Sequence, residues 1–192
     1  MARVIFIHGY GGSPDDERFA EVLRELEEKG WDVMAPAMPA TDHPRKDAWV
    51  RALRECISEP DAQTFLVGFS LGCITILRYL ETLPNEQRVG GALLLAGFFE
   101  DLGPDFTELR SFVDMPVDWD AVKSACPEFT VVHGDDDPLV PLPFAERLAK
   151  NLEVPLQVEH GVGHFNTAWG AKIVAELMES TLRGLQSSPE EG

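Results

Sequence analysis

The chain has 192 residues, with 33 acidic side chains against 16 Lys plus Arg, a formal net charge of −17 and a pI near 4.5. A chain of that length fits one domain, which buries roughly 70% of its unfolded surface and leaves no room for a second catalytic unit. The acidic surplus repels polyanions at long range, so nucleic acid is excluded as a partner and the charge reads as solvated helix faces.

The apolar run Val4-Ile5-Phe6-Ile7 stops at His8, far short of the roughly 18 residues of a membrane span, so neither an export segment nor a membrane partner is expected. Cys56, Cys73 and Cys126 are too few and too irregular for a disulfide framework or a zinc site, and suit a reducing, cytoplasmic compartment.

In chain order, Arg3–Ile7 predicts a strand and Asp15–Lys29 a helix. Ser13-Pro14-Asp15-Asp16-Glu17 supplies that helix with a capping hydroxyl, a first-turn proline and an acidic first turn, and Gly30 stops it. Trp31–Ala35 and Arg45–Ser58 repeat the pattern, as do Gln63–Val67 and Leu71–Leu83. Gly91–Ala96 predicts a fourth strand, followed by an irregular stretch and a short helix at Trp119–Ala125. Glu128–Val132, Leu142–Leu152, Pro155–Glu159 and Trp169–Gln186 complete the alternation. Strands separated by helices imply an α/β fold, a three-layer α/β/α sandwich around a six-stranded, mainly parallel sheet. Thr64–Val67 and Ala92–Ala96 lack polar alternation, as strands buried on both faces do. One domain over residues 1–186 is expected, with residues 187–192, a Ser/Pro/Glu run, as a disordered tail.

The polar residues that could do chemistry fall where strands end. Gly68-Phe69-Ser70-Leu71-Gly72 follows an apolar run and opens an amphipathic one, which places a serine on a sharp strand-to-helix turn, a nucleophile elbow. The turns after the first, fifth and sixth strands carry His8-Gly9-Tyr10-Gly11-Gly12, His133-Gly134-Asp135-Asp136-Asp137-Pro138 and Gly161-Val162-Gly163-His164-Phe165. A serine hydroxyl is a weak nucleophile at neutral pH. It needs an imidazole to take its proton and a carboxylate to hold the imidazole's tautomer, and Ser, Asp and His occur here in that chain order.

His164 is the better base, because its glycine-rich loop allows close approach, whereas His160 ends a strand. Three adjacent aspartates compete for the acid, and turn-forming or solvated roles account for at least two of them. The N–H groups of Leu71 and Tyr10 suit an oxyanion hole. Gly9–Gly12 has neither a P-loop ending nor dinucleotide spacing. His8, His133 and Asp135 lie at strand ends but lack metal-ligand spacing, so neither metal nor cofactor is expected. Cys73 reads as core.

With these motifs the chain resembles the α/β-hydrolase fold family over about residues 3–185, and within it the small retinoblastoma-binding protein 9/YdeN-like serine hydrolases. The resemblance is carried by His8–Ser13, Gly68–Gly72, Gly134-x-x-Asp137-x-x-Val140-Pro141 and Gly163-His164-Phe165. It implies that Asp137 is the acid, since the Val-Pro pair that begins the next helix follows it. The retinoblastoma pocket motif Leu-x-Cys-x-Glu has only Leu71-Gly72-Cys73-Ile74-Thr75 as a counterpart, so that partnership is not implied.

Larger relatives carry a helical lid where this chain has only Gly97–Asp118, so a minimal fold without a lid domain is expected. Phe98, Phe99 and Phe112, with Trp169, are candidates for an apolar wall beside the serine; packing of the loop onto the sheet is the alternative. The expected activity is hydrolysis of a small ester or amide by a carboxylesterase-like serine hydrolase. A catalytically lapsed scaffold serving protein interaction and an acyltransferase remain as alternatives, and monomer and dimer are both compatible with the sequence.

Overall fold

The computed structural model describes residues 2–165, 176 and 178–184. Six strands, β1 (Arg3–Ile7), β2 (Asp32–Met34), β3 (Thr64–Phe69), β4 (Gly91–Leu95), β5 (Phe129–Gly134) and β6 (Leu156–Glu159), form one sheet in the order β2-β1-β3-β4-β5-β6. Each neighbouring pair is parallel, so the carboxyl ends of all the strands lie along one edge. The chain leaves β1 toward β2 on one side and toward β3 on the other. The crevice between the ends of β1 and β3 is therefore the switch point at which open α/β sheets bind ligands.

The helices are α1 (Glu17–Glu28), α2 (Lys46–Cys56), α3 (Leu71–Leu80), α4 (Arg110–Val113), α5 (Trp119–Ala125) and α6 (Leu142–Leu152). Residues 178–184 are helical too, within the span expected for a last helix, while residues 187–192 lie outside the described residues. α1 begins at Glu17 rather than Asp15, because Ser13 Oγ accepts the Asp15 N–H (3.2 Å) and closes a turn ahead of the helix.

β3 and β5 run further than the sequence suggests, through Gly68 and Gly134, which read locally as turn residues. Both stay in the ladder, Gly68 opposite Ile7 and Leu94, Gly134 opposite Glu159. Gly134 is there for closeness: a Cβ on it would lie 2.3 Å from the Gly163 carbonyl oxygen, so only glycine lets the loop after β6 settle onto the end of β5.

Strand alternation divides the core between the two faces. Val4 and Phe6 of β1 pack with Phe19 and Val22 of α1, whereas Ile5 and Ile7 join Ile74 and Leu77 of α3 on the other side. Each such side chain contributes about 1.5–3 kcal/mol when fully buried. α3 is buried along its whole length, between the sheet and α2, which is why it is apolar apart from Thr75, Arg78 and the Tyr79 hydroxyl.

The Gly97–Asp118 segment, expected to be irregular, contains a 3-10 helix (Pro104–Leu109) as well as α4. Arg78 of α3, nearly buried at 5% exposure, anchors it. Its guanidinium donates to the carbonyls of Phe112 (2.8 Å), Pro116 (3.1 Å) and Met115, and pairs with Glu81 at 3.0 Å, whose carboxylate accepts the Asp118 N–H (2.7 Å).

Candidate active site

Ser70 sits between β3 and α3 at φ 54° and ψ −115°, a conformation sparsely populated by residues with a side chain. Such a conformation costs about 1–3 kcal/mol and persists only where the surroundings enforce it. They do so here: the Ser70 N–H donates to Leu95 O (2.8 Å), Ser70 O accepts the Cys73 N–H (2.9 Å), and α3 starts hard against β1. A Cβ on Gly72 would lie 2.1 Å from Ile7 O, so only glycine permits that approach.

Beside the serine, the loop after β1 is held by His8. The buried His8 ring bonds Gly9 O through Nδ1 (2.9 Å) and accepts the Met38 N–H at Nε2 (3.4 Å). Burial lowers its pKa, partly offset by the Gly9 bond and the Asp16 charge, and keeps it neutral. Gly9 O also accepts the Gly12 N–H (3.2 Å). Because the peptide is trans and planar, fixing Gly9 O fixes the Tyr10 N–H on the opposite side. Among the described residues, no backbone bond takes up the N–H of Tyr10 or of Leu71, the latter being the first residue of α3.

The three aspartates after β5 each take a different part of the loop after β6. Asp135 accepts from Gly161 N–H (3.1 Å) and pairs with His160 at 2.7 Å, Asp136 accepts from Gly163 N–H (2.7 Å), and Asp137 Oδ2 meets His164 Nδ1 at 2.7 Å. His160 is 84% exposed and stands apart, whereas the His164 side chain is 7% exposed and that of Asp137 wholly buried.

Asp137 Oδ1 accepts the N–H groups of Leu139 (2.8 Å) and Val140 (2.9 Å). Burial pushes the Asp137 carboxyl up, but the His164 bond and charge and these two N–H donors outweigh it and hold the group below the usual carboxylate range. It is therefore ionised at neutral pH. The His164 ring leans on Phe69, centroids 5.0 Å apart, and its loop is anchored by Val162 and Phe165, both fully buried on either side of it.

Ser70 and His164 line one cavity of about 150 Å³, with Gly9 and Tyr10 on one side. Of the aromatic residues expected in the wall, Phe98 lines it. Phe99 does not: it packs edge-on against Trp119, centroids 5.0 Å apart. Phe112 is fully buried against Trp49 instead, at 5.8 Å, and Trp169 lies outside the described residues. The rest of the apolar wall is Leu102, Phe106, Leu109, Leu139 and Val140. Leu139 and Val140 were legible only as the residues beside the aspartates, and nothing local marks Leu102. Among the described residues, no group of three or more His, Cys, Asp or Glu is placed to hold a metal ion, and no helix is long and apolar enough to cross a membrane.

A strained serine at the switch point of a parallel sheet, sharing its cavity with an imidazole hung on a buried carboxylate, is the architecture of the α/β-hydrolases. The sequence agrees, for residues 4–179 match the family model of the serine hydrolases, and the chain belongs to that family. It is 32% identical to YdeN of Bacillus subtilis (strain 168) over 164 residues, 85% of each chain, and 26% identical to the serine hydrolase RBBP9 of Rattus norvegicus over 85% of this chain and 87% of that one. The crystal structure of the YdeN gene product superposes with a TM-score of 0.87 at 29% identity, covering 95% of this chain and all of the other. Est1E of Butyrivibrio proteoclasticus shares the fold at a TM-score of 0.76 and 17% identity, over 97% of this chain and 89% of its own.

Proposed function

We propose that the protein hydrolyses carboxylic esters with short or compact, uncharged acyl groups through an acyl-serine intermediate. Ser70 is the nucleophile, His164 the general base and acid, and Asp137 the carboxylate that orients and charges-balances it. The observation that carries this reading is the 2.7 Å His164–Asp137 bond in a cavity shared with a serine on a strained elbow. With Nδ1 committed to Asp137, Nε2 is the ring nitrogen left to take the Ser70 proton as Oγ attacks the substrate carbonyl. Charge then develops on the carbonyl oxygen, which the N–H groups of Tyr10 and Leu71 receive without reorganisation. The intermediate collapses, the alcohol leaves with the proton from His164, and water repeats the sequence on the acyl-serine to release the acid.

Apolar walls and a cavity of about 150 Å³ favour a small acyl group, and among the described residues His164 and the Tyr10 phenol are the titratable side chains that line it, which suits an uncharged one. Est1E, which shares the fold, has been crystallised with ferulic acid, so a hydroxycinnamate ester belongs in the test panel. The free cysteines Cys56, Cys73 and Cys126 fit a reducing, cytoplasmic compartment, which cell fractionation would check.

The test is a p-nitrophenyl ester series from acetate to palmitate, with a hydroxycinnamate ester and a p-nitroanilide beside it, and fluorophosphonate labelling mapped by mass spectrometry. Activity should peak at short acyl chains, the label should sit on Ser70, and Ser70→Ala should lower kcat by about 10⁴–10⁶. Undiminished turnover in Ser70→Ala overturns the mechanism, and a maximum at palmitate overturns the acyl class.

A further inference from the structure

The proposed triad leaves His133 without a task. It lies on the inner strand β5, between β4 and β6, with a side chain 0% exposed, a place where valine or isoleucine would pack without carrying polar atoms. Its Nε2 is 2.7 Å from Val140 O and 3.5 Å from Asp137 Oδ2. A carbonyl only accepts, so Nε2 carries the proton and Nδ1 is a bare acceptor, left without a partner among the described residues. An apolar side chain would avoid that unpaired nitrogen, and the compensating gain must come from the Nε2 edge.

What this edge grips is the turn that holds Asp137. Val140 is fixed at both ends of its backbone, its N–H on Asp137 Oδ1 (2.9 Å) and its C=O on His133. Burial lowers the His133 pKa against the opposing effect of the Val140 bond and the Asp137 charge, so the ring is neutral and does not compete with His164 for the carboxylate's charge.

We propose that His133 is a positioning residue of the hydrolytic site: an Nε2-protonated imidazole that, through the Val140 carbonyl and the flank of the Asp137 carboxylate, fixes the oxygen on which His164 is hung. The inference rests on the triad proposed above.

Steady-state kinetics with p-nitrophenyl acetate test it in His133→Leu, His133→Gln, His133→Asn, Asp137→Ala and the His133→Leu/Asp137→Ala double variant. Asp137→Ala should lower kcat about 10³–10⁴-fold. His133→Leu should lower kcat roughly 10–100-fold, as loss of an outer-shell partner does, with KM unchanged. The glutamine amide reaches the Nε2 position and should restore most of that loss, whereas His133→Asn, whose amide reaches only Nδ1, should not. In the Asp137→Ala background His133→Leu should cost nothing more, because its effect runs through the carboxylate. Wild-type kcat in His133→Leu, an equal loss in both backgrounds, or equal activity of the Gln and Asn variants overturns the inference alone. If the leucine variant does not fold, the Gln and Asn pair decides. An undiminished Asp137→Ala enzyme overturns the triad, and this inference with it.

Discussion

Replacing Gly72 with alanine drives a methyl group into the backbone of β1. The added Cβ falls 2.1 Å from Ile7 O and 3.1 Å from His8 O, where ordinary contact begins at 3.4 Å, so α3 and β1 must part by about 1.3 Å. β1 cannot yield, being paired with β2 on one side and β3 on the other. The start of α3 retreats instead, carrying Ser70 and the Leu71 N–H away from the Tyr10 N–H across the crevice. Overpacking of this kind costs about 1–3 kcal/mol. For a domain of this size that lowers Tm by roughly 2–12 °C. The larger effect is on rate, since misplacing reacting groups by about 1 Å costs on the order of 100-fold. Gly30→Ala is the control: no atom lies within 4 Å of its Cβ and its φ is +91°, so it strains only a helix end remote from the site. Calorimetry and p-nitrophenyl acetate kinetics on both variants decide the matter. Gly72→Ala should lose about 100-fold in kcat/KM while Gly30→Ala keeps wild-type kinetics. Wild-type kcat/KM in Gly72→Ala would refute the claim that this approach of helix to strand sets the oxyanion geometry.

Arg78→Met strips the donors from the Phe112, Met115 and Pro116 carbonyls and leaves Glu81, 17% exposed, without its cation. Leaving these carbonyls and a part-buried carboxylate without their donor costs about 1–3 kcal/mol. Because the freed segment carries Phe106 and Leu109 of the cavity wall, KM for p-nitrophenyl butyrate should rise more than kcat falls; an unchanged KM counts against a wall held by Arg78. Stability should also depend on the buried imidazoles. His8 and His133 have pKa values lowered by burial, so below about pH 6.5 the unfolded chain binds protons that the folded one refuses. Their contribution is complete above pH 6.5 and is lost as pH falls toward the folded values. The urea midpoint between pH 7 and 5 should fall less steeply in His133→Gln than in the wild type, by the slope of about one proton. Identical slopes would mean that His133 is protonated in the folded state.

The elements that a sequence displays are those fixed by near neighbours. The elbow needs only an apolar run, two glycines and a serine between them, so Ser70 could be placed from five residues, and the glycines around His164 marked its loop in the same way. That the sheet is parallel and covered on both faces followed from the alternation of apolar runs with amphipathic ones, whereas the strand order β2-β1-β3-β4-β5-β6 came only with the structure. The extension of β3 and β5 through Gly68 and Gly134 was hidden, because a glycine that admits a distant backbone looks no different from one that turns the chain.

Asp135, Asp136 and Asp137 are chemically identical, and their own sequence does not distinguish them. The curvature of the turn gives the first to His160 and Gly161, the second to Gly163 and the third to His164. The same holds for adjacent Phe98 and Phe99, of which one faces the cavity and the other Trp119. Apolar contact has no direction of its own, so a phenylalanine carries no mark of which neighbour it will meet. Backbone turn chemistry is local and was written in the chain; the pairing of side chains far apart in sequence depends on where the sheet brings their loops, and only the folded protein decides it.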